Sequence, residues 1–162
     1  MKITRGALDQ VNAHASEGYP HEVCGVLIRR DGVGAVTDTR RMRNVMEDPE
    51  RTRDPYLMNF IRDVFPALSN LDDERARDRY LMDPRDQMRI QRECDDAGLE
   101  IIGYYHSHPD HPARASVTDA ERSWAGFAYL IVSCVKGEVV ESNAFISDQD
   151  RGQMKPEPVE VI

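Results

Sequence analysis

Three short, nearly continuous apolar runs constrain this chain most: Val23-Cys24-Gly25-Val26-Leu27-Ile28, Ile101-Ile102-Gly103-Tyr104-Tyr105 and residues 127–134. Runs of this length, partly β-branched and bounded by charged or turn residues, predict strands buried inside a sheet. None approaches the ~20 apolar residues that span a bilayer. Met1-Lys2-Ile3-Thr4-Arg5 opens no signal-peptide core, so a soluble protein that is not exported is expected.

Helical signals lie between these strands. Thr4 reads as a cap for a helix over 5–17, with Leu8, Val11 and Ala15 at near-helical spacing until Gly18 and Pro20 stop it. Asp83-Pro84 predicts a second helix, with Ile90, Cys94 and Ala97 along one side and Gly98 as a left-handed stop. After the first apolar run, Arg29-Arg30-Asp31-Gly32 marks a turn, and residues 33–39 are expected to return as a hairpin partner. The second run extends over 99–106. Pro109 and Pro112 stiffen the loop that follows it, and Thr118 or Asp119 starts a further helix reaching Trp124. Residues 127–134 and 138–146 make two strands around Lys136-Gly137, and 155–162 is either loose or an edge strand. The class is α+β, a mixed α/β sandwich.

Between Asn44 and Asp83 the texture changes to Asp, Glu and Arg punctuated by Pro49, Pro55 and Pro66, which reads as a helical insertion at about 46–79. Asp54-Pro55 resembles a cap and first helical position. Leu57, Phe60, Ile61, Val64, Phe65 and Leu68 then follow amphipathic spacing up to a kink or end at Pro66. That stripe suits core packing or self-association as a homodimer better than a partner groove. Residues 72–79 alternate in charge, as a solvated helix face does.

The chain's 162 residues suit a single domain spanning 1–162. Its 21 basic against 29 acidic residues give a net charge of −8, which argues against a nucleic-acid partner. Three separated cysteines, Cys24, Cys94 and Cys134, form neither a disulfide framework nor a thiolate zinc site and point to a reducing cytoplasm.

Chemistry concentrates at His106-Ser107-His108, at the end of the second apolar run. Residues i and i+2 of a strand share a face, so both imidazoles can reach one metal ion, and Asp119 offers an oxygen ligand near a helix start. Three protein ligands with a fourth position left to water is the pattern of catalytic zinc. Glu22, at the mouth of the first strand, is the candidate base for that water. Ser116 is a candidate donor to a carbonyl oxygen that gains charge, or a helix cap, or both. His21 and His111 do not fit the ligand pattern, and Cys24 reads as a small buried residue rather than a nucleophile.

His106-Ser107-His108-Pro109, the seven residues between His108 and Ser116, and Ser116-x-x-Asp119, with Glu22 upstream, together resemble the JAMM (also called MPN+) metalloprotease motif. Tyr19-Pro20-His21-Glu22-Val23-Cys24-Gly25-Val26-Leu27 is similar to the opening of small bacterial and archaeal members that act on ubiquitin-like sulfur-carrier proteins, including a cysteine-releasing type. The resemblance implies an MPN/JAB1-like, cytidine deaminase-like architecture, a twisted mixed sheet flanked by helices. It implies one Zn²⁺ with a bound water, held by His106, His108 and Asp119, with Glu22 and Ser116 catalytic. The implied reaction is peptide or isopeptide hydrolysis at a carrier's C-terminal Gly-Gly tail, releasing an amino acid such as cysteine or a lysine-linked conjugate. The insertion departs from short family members on the side that helps choose the carrier. A non-catalytic MPN-type scaffold is the rival reading. A zinc deaminase is not supported, because neither His-x-Glu nor Pro-Cys-x-x-Cys occurs.

Overall fold

The apolar runs form the middle of a six-stranded sheet in a computed structural model that describes residues 1–30, 32–47, 53–64 and 80–162. The strands are β2 (Cys24–Arg30), β3 (Asp38–Met42), β4 (Leu99–Pro109), β5 (Ala128–Val135), β6 (Glu138–Ser147) and β7 (Met154–Glu157), arranged β3-β2-β4-β5-β6-β7. Neighbours are antiparallel except β4 and β5, which run parallel. A small parallel pair, β1 (Lys2–Ile3) with β8 (Glu160–Val161), ties the two ends of the chain together. The mixed α+β class is therefore observed.

Helix α1 (Arg5–Gly18) covers one face of the sheet. Thr4 caps it by accepting from the Ala7 N–H, and its buried residues Ala7, Leu8, Val11 and Ala15 include the apolar positions expected. They pack with Leu27, Tyr105, Leu130 and Val132. Gly25 admits the Tyr105 ring: a Cβ there would come within 2.4 Å of it. Helix α3 (Pro84–Ala97) covers the opposite face, packing Ile90 and Cys94 on Val26 and Ile28. Asp83 caps α3 and Gly98 ends it at φ 63°. A short helix α4 (Val117–Glu121) lies within the connection from β4 to β5.

Three expectations need correction. Ala97 is exposed, because the buried stripe of α3 runs through Asp86, Ile90 and Cys94 in steps of four and its next step is Gly98, where the helix stops. The strand returning after the first hairpin begins at Asp38 rather than Val33. The preceding residues turn aside to the N-terminal strand, where Val36 bridges Ile3 and its N–H donates to the Lys2 carbonyl at 2.8 Å. α4 stops at Glu121 instead of reaching Trp124, since the Arg122 and Ser123 N–H groups close three-residue bonds onto Asp119 and Ala120. Of the two readings of the C-terminal stretch, the edge strand is observed: β7 closes one edge of the six-stranded sheet and β8 pairs with β1.

At the insertion, the Val45 N–H donates to the Leu81 carbonyl at 2.8 Å and Asn44 bridges Met82, so the two flanks meet. Helix α2 (Pro55–Val64) begins as expected, with Asp54 Oδ1 accepting from the Tyr56 N–H, and Leu57 packs with Val45, Met46 and Leu81. Phe65, Pro66, Leu68 and the charged stretch 72–79 lie outside the described residues.

Candidate metal centre and active-site cleft

His106 and His108 stand on one face at the C-terminal end of β4, beside the one parallel strand pair of the six-stranded sheet, where open sheets collect ligands. Their Nε2 atoms are 3.0 Å apart. Asp119, in the first turn of α4, brings Oδ1 to 3.1 Å from His106 Nε2 and Oδ2 to 3.8 Å from His108 Nε2. Four tetrahedral donors around zinc sit roughly 3.3–3.5 Å from one another, so the three side chains are spaced as ligands of one ion. They are the His, Cys, Asp and Glu group so arranged among the described residues.

The protonation pattern fits the same use. His108 Nδ1 lies 2.9 Å from the Pro112 carbonyl, which can only accept, so Nδ1 carries the proton and Nε2 presents its lone pair inward. Burial, and then His106, push the His108 imidazole below its ordinary pKa. Burial opposes ionisation of Asp119, but His106 and the Ser116 donors outweigh it and hold the carboxyl well below the usual range. Neutral imidazole beside carboxylate is the donor set of a nitrogen-and-oxygen zinc site.

Asp119 is locked from behind. Ser116 and Asp119 form a reciprocal cap: the Ser116 N–H and Oγ each donate to Asp119 Oδ2 at 2.7 Å, and the Asp119 N–H donates to Ser116 Oγ at 3.1 Å. Ser116 itself is exposed. Of the two roles the sequence allowed it, the capping role is present in the geometry.

Glu22 approaches through strand pairing. Cys24 lies opposite His106, so two residues earlier, just before β2, the chain passes across from His108. Asn44 fixes this stretch: its Nδ2 donates to the Glu22 carbonyl at 3.1 Å, while its Oδ1 accepts from the Met46 and Leu81 N–H groups. Glu22 is buried and lines a cleft of about 420 Å³ together with His108, Ser116 and Asp119. A larger hollow of about 650 Å³ at the other end of β4 contains no histidine or cysteine, and its charges include the pairs Arg29–Glu100 and Lys2–Glu160.

Cys24 is fully buried, its thiol pushed far up by burial and then by Glu22, with Sγ directed at the Met42 carbonyl; it is no nucleophile. His21 pairs with Glu47 at 3.3 Å, and His111 lines the cleft without joining the ligand group. Two neighbours of the centre were not singled out from the sequence. Tyr80 stacks on His106, ring centroids 4.4 Å apart, and Arg122 lies over Tyr80 at 5.4 Å and donates to the Tyr80 carbonyl. Their only advance signal was the Asp83-Pro84 boundary after Tyr80 and the helix start before Arg122. No helix among the described residues is long and apolar enough to cross a membrane.

A family model of prokaryotic homologs of the JAB domain matches residues 4–146. The chain is 31% identical over 138 residues to the desampylase of Haloferax volcanii, covering 82% of this chain and 80% of that protein. It resembles the solution structure of a protein from Salinibacter ruber, with a TM-score of 0.62, 32% identity and coverage of 98% and 90%. It also resembles the crystal structure of a JAB1/MPN domain protein from Archaeoglobus fulgidus, with a TM-score of 0.54, 14% identity and coverage of 100% and 97%, which is a likeness of fold.

Proposed function

The chain belongs to the family of prokaryotic homologs of the JAB domain, and from that membership we propose that it is a zinc-dependent metallopeptidase. Its substrate is the C-terminus of a ubiquitin-like or sulfur-carrier protein. The observation that carries this reading is the convergence of His106, His108 and Asp119 on one point, with Glu22 in the same cleft. The desampylase relative supports isopeptidase action on a ubiquitin-like protein.

Held by the two Nε2 atoms and the Asp119 carboxylate, a zinc ion would polarise the scissile carbonyl and lower the pKa of a water. The protein's own residues do the rest. Glu22, rigid and buried at the strand mouth, accepts a proton from the water as it attacks the amide carbon. Ser116 Oγ, exposed on the rim, turns from Asp119 toward the carbonyl oxygen as negative charge grows there. Glu22 then gives its proton to the departing amine, so acid and base are one group. Ser116 thereby keeps both roles read from the sequence.

The carrier's tail enters extended, its terminal Gly-Gly passing where bulkier residues would not fit, and leaves behind an amino acid such as cysteine or a lysine-linked partner. Residues 1–162 act as one catalytic domain in the cytoplasm, and the insertion at about 46–79 tunes carrier choice. The test is intact mass of a ubiquitin-like carrier bearing a C-terminal cysteine or a lysine-linked adduct, incubated with the zinc-loaded protein. Loss of the adduct after Gly-Gly, blocked by chelation, is the expected result. No cleavage of either adduct, with zinc verified in the protein, would favour a non-catalytic scaffold.

A further inference from the structure

Next to the catalytic cleft lies a second hollow of about 220 Å³, walled mainly by Tyr80, Leu81, Tyr104, Arg122, Trp124 and Tyr129. Tyr80 and Arg122 line both hollows, so the two share a wall. The second is predominantly apolar and carries Trp124, which stays 46% exposed, the sole tryptophan of the chain. Water gains little from such a surface, and an apolar side chain seated there would be sheltered from it.

Arg122 adds a second, independent sign of a ligand. Its Nη1 donates to the Tyr80 carbonyl, but its Nη2 is buried without an acceptor. Among the described residues the other such atom is Asn12 Oδ1, which does not line this hollow. A buried guanidinium N–H without a partner is disfavoured, and a turn of the guanidinium toward the hollow that Arg122 lines would let a carbonyl oxygen of a bound peptide satisfy it.

Spacing sets which substrate residue arrives here. Tyr104, His106 and His108 alternate along one face of β4, so Tyr104 lies one strand repeat, roughly 7 Å, before His106. An extended peptide advances at the same pitch. With its reacting carbonyl at the His106–His108 centre, the side chain reaching the hollow belongs to the residue two before the one that carries that carbonyl.

We propose that this hollow is a specificity subsite for an apolar side chain on the residue preceding the carrier's terminal Gly-Gly, with Arg122 Nη2 binding a backbone carbonyl of the tail. The proposal rests on the tail-cleaving reading above. Its occupant is an apolar residue such as Leu or Phe, and Asp or Gly is rejected by desolvation or by lack of contact.

The probe is a series of tryptophan-free ten-residue peptides ending in X-Gly-Gly, with X as Leu, Phe, Asp or Gly, titrated into the unmodified zinc-loaded protein while Trp124 emission is followed. The Leu and Phe peptides are expected to give a saturable blue shift with Kd at least about tenfold below the Asp and Gly peptides. Arg122→Gln is expected to weaken the Leu peptide by about tenfold or more. The peptide series on the unmodified protein decides the matter even if that variant does not fold. Unchanged Trp124 emission across the series, or equal Kd values for all four, would overturn the subsite. Failure here is separable from failure of the catalytic reading. Adducts cleaved without preference at X remove the subsite alone, and a Leu-selective Trp124 response in a protein that cleaves no adduct removes the catalytic reading alone.

Discussion

Ser107 and Val23 hold each other by two hydrogen bonds: the Val23 N–H donates to Ser107 Oγ at 3.0 Å and the Ser107 N–H donates to the Val23 carbonyl at 3.0 Å. Ser107 sits between the two histidines and Val23 follows Glu22, so this pair fixes the proposed base against the proposed ligands. Its side chain points to the face opposite theirs, into the layer covered by α1.

Ser107→Ala leaves the buried Val23 N–H without its side-chain acceptor. Urea unfolding is expected to show a loss of about 1–3 kcal/mol, and Ser107→Thr a smaller one. A loss within about 0.5 kcal/mol for Ala, the range of ordinary surface changes, would mean that the pair does not anchor the cleft.

Asp119 belongs to two structures at once, the proposed ligand group and the α4 cap. Asp119→Asn keeps a capping oxygen but presents a poor ligand, so zinc stoichiometry should fall from one per chain toward zero while the apo-protein loses about 1 kcal/mol or less. Added zinc should raise the unfolding midpoint of the unmodified protein and not that of the variant. A variant that still binds one zinc tightly would exclude Asp119 as a ligand.

Ser116 can be divided by glycine, which is nearly as good a cap as serine but carries no hydroxyl. Ser116→Gly should change stability by a few tenths of a kcal/mol and lower kcat by roughly 10²–10³. Equal kcat in the two proteins would leave Ser116 with its capping role alone.

Part of this site is legible in the sequence because it is local. The i, i+2 histidines depend only on strand alternation, and the Ser116–Asp119 spacing is that of one helical turn. Glu22 is different: its approach depends on β2 pairing with β4 in the register Cys24↔His106, a contact across about half of the chain that spacing does not encode. Its place at the strand mouth marks it as a candidate, and the family resemblance strengthens the base reading. Tyr80 and Arg122 escaped notice for a related reason, since one lies in an irregular stretch and the other just past a short helix, and they meet only after folding. The displaced start of β3 shows tertiary pairing overriding a turn signal: the chain turns at Gly32, but Val36 is taken by the N-terminal strand.

His14 gives the fold a pH dependence away from the ligands. Its Nδ1 lies 2.8 Å from the Tyr105 hydroxyl, and burial, then Arg41, lower its pKa from 6.5 to about 4. Between about 4 and 6.5 the unfolded chain binds a proton that the folded chain does not. Stability therefore rises with pH through that window, is fully present above 6.5 and is lost as pH falls toward 4. The stability difference between the unmodified protein and His14→Gln should shrink by about 1–2 kcal/mol from pH 7 to pH 4, the full shift being discounted for partial exposure. A difference independent of pH would remove His14 as its source.

The most direct test of the catalytic account pairs two readings on Glu22→Gln: zinc per chain, and the single-turnover rate on a carrier adduct ending in Gly-Gly. The account predicts one zinc retained and a rate lower by about 10²–10⁴, the range expected when a positioned general base is lost. Retained zinc with an unchanged rate would contradict it.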